Sequence, residues 1–96
     1  YYTLGGSRLE TDVVSDLNVY PNPSRDVFNI SFSSYEIQSI SIRVVNVIGE
    51  EIFKDQLTDF NGAYTHELDM SKNSKGVYFL EINSEKGTIN SKMVLQ

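Results

Sequence analysis

Three observations predict an all-β chain of about seven antiparallel strands. From Val19 onward apolar and polar residues alternate with period two, the mark of half-buried strands. Turn signals recur about every ten residues, as they do in sandwiches. No stretch of helical length keeps a 3.6-residue apolar period. The expected architecture is an immunoglobulin-like β-sandwich in size and strand number, without the Cys and Trp that mark antibody-type domains.

Each element follows from local pattern. Residues 1–18 read as a linker, because Gly5, Gly6 and Ser7 are followed by Arg8, Glu10, Asp12 and Asp16 with only scattered apolar positions. The loosely spaced carboxylates there solvate a tether rather than hold a cation. The folded domain is expected over 19–96. Val19-Tyr20 is a strand stub. Phe28, Ile30 and Phe32 alternate with Asn29, Ser31 and Ser33 to give one apolar face. Ile40, Ile42 and Val44 repeat the pattern, and the phase then slips to Val45 and Val47. A slip of one residue moves a side chain to the opposite face, so a bulge or a strand covered on both sides is expected.

Gly49 marks a turn, and 52–57 a short strand. Asn61-Gly62 within Asp59-Phe60-Asn61-Gly62 favours a tight hairpin, since both residues tolerate positive φ. Tyr64, His66, Leu68 and Met70 alternate next. Residues 71–76 form a polar loop with at most one helical turn, and 77–82 an apolar, aromatic central strand. Residues 83–87 turn the chain back. The closing segment 88–95 carries Ile89, Met93 and Leu95 on one face.

Composition narrows function by exclusion. With 8 basic and 13 acidic side chains among 96 residues, a net charge of −5 and no clustering of bases, nucleic acid is not the expected partner. At 40% hydrophobic and 22% charged, the chain has the balance of a folded domain. Its longest apolar run, Val77-Tyr78-Phe79-Leu80, is far shorter than the ~20 residues of a spanning helix, so direct membrane insertion is not expected. Tyr1-Tyr2-Thr3-Leu4 lacks the basic and apolar parts of a signal peptide, so an export signal is expected on a longer precursor. The absence of Cys removes disulfides, thiolate metal sites and a Cys nucleophile. Reliance on packing alone is unusual in eukaryotic secreted modules and leans towards a bacterial protein.

Candidate chemistry is sparse, and no enzyme or cofactor is expected. His66 is the single His and sits in the strand register of Tyr64, Leu68 and Met70, which makes it a core-edge residue rather than a base. Glu50 and Glu51 follow a turn glycine and point apart. Gly49, Gly62, Gly76 and Gly87 are isolated turn glycines with no phosphate-cradling cluster. Tyr64 and Tyr78 alternate along strands and fill or edge the core more readily than they stack on sugar. Asn29-Ile30-Ser31 matches a glycosylation sequon but lies inside a strand.

The specific signals are short and ordered. Val19-Tyr20-Pro21-Asn22-Pro23 is a stiff elbow, because each proline fixes φ and drives the residue before it into an extended conformation. Asn46-Val47-Ile48-Gly49-Glu50, Leu68-Asp69-Met70-Ser71, Gly76-Val77-Tyr78-Phe79-Leu80 and Lys92-Met93-Val94-Leu95 follow. In that order and spacing the segments resemble the type A C-terminal sorting domain of proteins exported by the type IX secretion system of Bacteroidetes. The resemblance covers about residues 16–96. Met93 stands where that family often has Val or Ile, and the loop 71–75 is more polar and basic than its usual Leu-containing form.

The resemblance implies a secretion signal rather than a catalyst. Tyr20, Pro21, Asn22, Pro23, Gly49, Gly76, Tyr78, Lys92, Met93 and Val94 are the family-motif positions expected to serve recognition. The implied partners are the type IX outer-membrane translocon, its shuttle proteins, and a sortase-like peptidase that cuts the linker. Gly5, Gly6, Ser7 and Arg8 offer that peptidase an extended backbone. Cargo so marked is expected in the periplasm in transit and then on the outer-membrane surface or in the medium. A closing strand with a free edge would suit recognition by strand addition. The alternative class is an immunoglobulin-like adhesion or glycan-binding module of a bacterial surface protein.

Overall fold

A computed structural model describes residues 13–96. It forms one antiparallel sheet of five strands: β1 (Ser15–Tyr20), β2 (Val27–Asn46), β3 (Glu51–Asp69), β4 (Gly76–Ser84) and β5 (Gly87–Leu95). The order is β1-β2-β4-β5, with β3 also paired to β2.

The strand count corrects the expectation of seven. The segments expected as separate strands all lie in strands, but β2 absorbs two of them within its 20 residues and β3 two more within its 19. Between Ser34 and Ile40 there is neither Gly nor Pro, so nothing stops the chain from continuing as strand. Asn61-Gly62, expected to reverse the chain, bends β3 instead. Asp59 (φ 49°) and Gly62 (φ 105°) take up the positive φ values, yet both halves of β3 stay paired to β2.

The two bends lie opposite each other. Ser34 pairs with Gly62, Gln38 with Phe60 and Ile40 with Leu57, with register shifts between them. The first half of β2 lies between β1 and the second half of β3; its second half lies between β4 and the first half of β3. The sheet thus folds over along a crease through 34–40 and 57–62. Phe53 and His66, both on β3, stack with ring centroids 4.7 Å apart, and the Tyr64 hydroxyl donates to Asp55 Oδ2 at 3.0 Å. Only a doubled-back strand brings such pairs together.

That folding explains the burial. Phe28 and Ile30 from one half and Ile40, Ile42, Leu80, Ile82 and Met93 from the other are all fully buried in one cluster. Each such side chain contributes about 1.5–3 kcal/mol relative to exposure. The slip after Val44 is a bulge: Val44 pairs with Phe53 but Val45 with Glu51, and both valines are buried. Part of the stretch read as linker is also packed down. Val13 and Val14 are 2% and 5% exposed, and Ser15 opens β1.

Gln38 fixes the chain's approach to the crease. Its buried Nε2 donates to the Val13 carbonyl at 2.8 Å and to Ser34 Oγ at 2.9 Å. The Ser34 hydroxyl in turn donates to the Glu36 carbonyl at 2.7 Å.

Candidate functional site

The register gathers the motif segments at the end of the sheet away from the crease. Asn46 pairs with Tyr78, Tyr78 with Met93 and Gly76 with Leu95, and Ser24 forms a parallel bridge to Leu95. The 47–50 turn, the start of β4, the close of β5 and the proline elbow therefore lie side by side. Segments up to about seventy residues apart in sequence form one rim.

The elbow is bound to the outer edge of β5. Asn22 Nδ2 donates to the Lys92 carbonyl at 2.8 Å, and Asn22 Oδ1 accepts from the Val94 N–H at 3.0 Å. The Ser24 N–H donates to the Val94 carbonyl at 3.0 Å, and the Gln96 N–H to the Ser24 carbonyl at 2.8 Å. A side-chain amide and one backbone unit thus imitate a neighbouring strand. Both Tyr20-Pro21 and Asn22-Pro23 are cis peptide bonds. The edge of β5 expected to be open is occupied from Lys92 to Gln96, because the elbow satisfies the groups that would otherwise face water.

The remaining motif positions divide by burial. Tyr78 (5% exposed) and Met93 (0%) belong to the core, and the Tyr78 hydroxyl donates to the Ser74 carbonyl, which holds the loop before β4. Lys92, Pro21, Asn22, Pro23, Gly49 and Gly76 are exposed, and Val94 is half-buried. Gly49 has φ +85°, in the left-handed region that favours glycine. It closes a turn organised by Asn46, whose Oδ1 accepts from the Ile48 and Glu50 N–H groups at 3.1 and 2.9 Å. Gly5, Gly6, Ser7 and Arg8, the expected cleavage stretch, lie outside the described residues.

Sequence reasoning named Val47 and Ile48 within the motif at 46–50 but took only Gly49 from it as a recognition position; the two are 70% and 81% exposed on that turn. The signal was present: they follow the phase slip and precede the turn glycine, so no strand face takes them in. Tyr20, 51% exposed, adds an aromatic ring at the elbow. The rim also carries Arg25, Lys72, Lys75 and Lys92, and Lys75 Nζ donates to the Arg25 carbonyl at 2.8 Å to tie loop to elbow.

Acid–base groups are not drawn into a catalytic arrangement among the described residues. His66 is half-buried against Phe53. Burial, followed by the hydrogen bond to Asp55, pushes the Tyr64 hydroxyl well above the usual tyrosine range. Arg43 pairs with Glu81 at 2.7 Å and with Glu51 at 3.7 Å on the outer face of the sheet. No group of three or more His, Asp or Glu side chains is placed to hold a metal ion among the described residues.

The fold and rim define a small all-β module whose motif positions serve turns, a strand edge and core contacts. Its sequence matches the secretion system C-terminal sorting domain over residues 18–96, and the chain belongs to that family, the sorting domains of type IX secretion. It is 36% identical over 80 residues to a β-agarase D of Zobellia galactanivorans, covering 82% of this chain and 15% of that protein. It is 30% identical over 73 residues to an endo-acting ulvan lyase of Formosa agariphila, covering 76% of this chain and 13% of that protein. The chain spans about one-seventh of the length of these curated relatives. Their enzyme names come from other domains, and the shared part is a non-catalytic signal domain.

Proposed function

We propose that this domain directs an attached cargo across the outer membrane and that the machinery reads the rim formed by the elbow, the 47–50 turn and the close of β5. The observation that carries this reading is the gathering of motif segments, distant in sequence, at one end of the sheet. Folding alone accounts for Tyr78 and Met93; it does not account for two neighbouring apolar side chains left in water at Val47 and Ile48. Exposed apolar surface rimmed by polar groups is characteristic of an interaction site.

In this reading the type IX translocon and its shuttle proteins contact Tyr20, Pro21, Pro23, Val47, Ile48 and Lys92. Tyr78, Met93 and Val94 hold the rim in shape. A sortase-like peptidase cuts within Gly5-Gly6-Ser7-Arg8, ahead of the buried Val13 and Val14, and the cargo is then attached to the surface or released after transit through the periplasm. The linker proper ends by Val13 rather than at Asn18. The doubled-over sheet serves as the two layers of an immunoglobulin-like sandwich.

The test is a pair of serines at the turn, Val47→Ser with Ile48→Ser, in a cargo fusion expressed in a type IX host. Surface changes of this kind move stability by within about 0.5 kcal/mol. Cargo retained in the periplasm at an unchanged melting temperature supports the reading; normal export of the variant overturns the rim as the surface that is read.

A further inference from the structure

We propose that the proline elbow is a strap that closes the edge of β5 against pairing with β5 of a second copy of this chain. A strand edge presents a row of backbone donors and acceptors that templates another strand. Strand alternation turns the backbone groups of Thr88, Asn90, Lys92 and Val94 away from β4, which pairs with β5 without a register shift. The elbow occupies the Lys92 carbonyl, both backbone groups of Val94 and the Gln96 N–H. At the other end of the strand a Cβ on Gly87 would meet Val13 Cγ2 at 3.6 Å, so the chain approaches β5 at both ends.

The strap is itself anchored. Ser24 is 4% exposed, its hydroxyl donates to the Val27 carbonyl and accepts from the Asp26 N–H, and Lys75 holds the neighbouring Arg25 carbonyl. Among the described residues, the run around Thr88 and Asn90 takes no bond from the strap, and it is short for a strand pair. The same edge on a second copy is self-complementary about a two-fold axis, as an isologous antiparallel pairing requires. Asn22 is the removable part of the strap, because its side chain supplies two of the four bonds without taking part in the core.

Sedimentation velocity of the whole 96-residue chain over a wide concentration series tests this, with Asn22→Ala as the opened form. Faster amide exchange at Val94 and Gln96 reports opening. The opened form is expected to dimerise at least about tenfold more tightly than the parent. A nitroxide on Asn90→Cys, in a chain without native Cys, should then report close β5–β5 approach. If Asn22→Ala does not fold, Asn22→Leu takes its place, since it is close to Asn in size and loses both the acceptor for Val94 and the donor to Lys92. The strap is overturned if the amides open and the protein stays monomeric, if the dimer keeps the labels far apart, or if exchange at Val94 is unchanged.

Discussion

Asn22 stands against Val94 as a strand would: its Oδ1 accepts from the Val94 N–H at 3.0 Å while its Nδ2 reaches the Lys92 carbonyl at 2.8 Å. One side chain therefore joins the first motif of the chain to the last. The elbow does more than orient a linker, since flattening it would uncover the edge that β5 presents. This also accounts for the polar residue between two prolines, where only an amide supplies a donor and an acceptor at the spacing of a backbone unit.

Core and surface along β5 should separate cleanly. Met93→Ala removes a fully buried side chain and should cost about 2–5 kcal/mol. Lys92→Ala, at an exposed position, should cost less than about 0.5 kcal/mol. Denaturant unfolding measures both. Equal losses would mean that Lys92 also supports the fold, and its use as a probe of recognition would fail.

Much of this fold is legible in the sequence. Period-two alternation marked Phe28, Ile30, Ile40 and Ile42 as inward, and the slip after Val44 marked a bulge or a strand covered on both sides, because the apolar face of a strand is written in its own residues. The joining of segments into β2 and β3 was not legible. Asn61-Gly62 supports either a reversal or a bend, and the choice depends on β2 bending opposite it, a relation between residues such as Ser34 and Gly62 that no local window contains. The rim was half legible: its segments were recognisable, but the pairing of Asn22 with β5 is a contact over seventy residues. The exposure of Val47 and Ile48 likewise depends on where the turn ends the sheet.

Alkaline stability should depend on Tyr64. Burial and then Asp55 raise its folded pKa above the unfolded value near 10. A raised folded pKa contributes stability that is fully present below the unfolded pKa and lost as pH rises through about 10 and beyond. Tyr64→Phe, which cannot ionise, should show a shallower fall in melting temperature above that pH. Identical alkaline limbs in parent and variant would contradict this.

The turn at Gly49 should resist substitution for conformational reasons alone. A Cβ there would meet nothing within 4 Å, so Gly49→Ala is strained only by φ +85°. The expected cost is about 1–2 kcal/mol, read by thermal unfolding. A neutral substitution would show that the turn relaxes and that Gly49 is not needed to hold Val47 and Ile48 in place.

The most direct measurement is export of a foreign cargo. The whole chain is fused behind a periplasmic reporter and expressed in a host with the type IX system and in the same host lacking the translocon. The reporter should reach the cell surface or medium in the first host and stay in the periplasm in the second. A folded fusion that remains periplasmic in both would contradict the sorting function and leave the adhesion module as the reading of this domain.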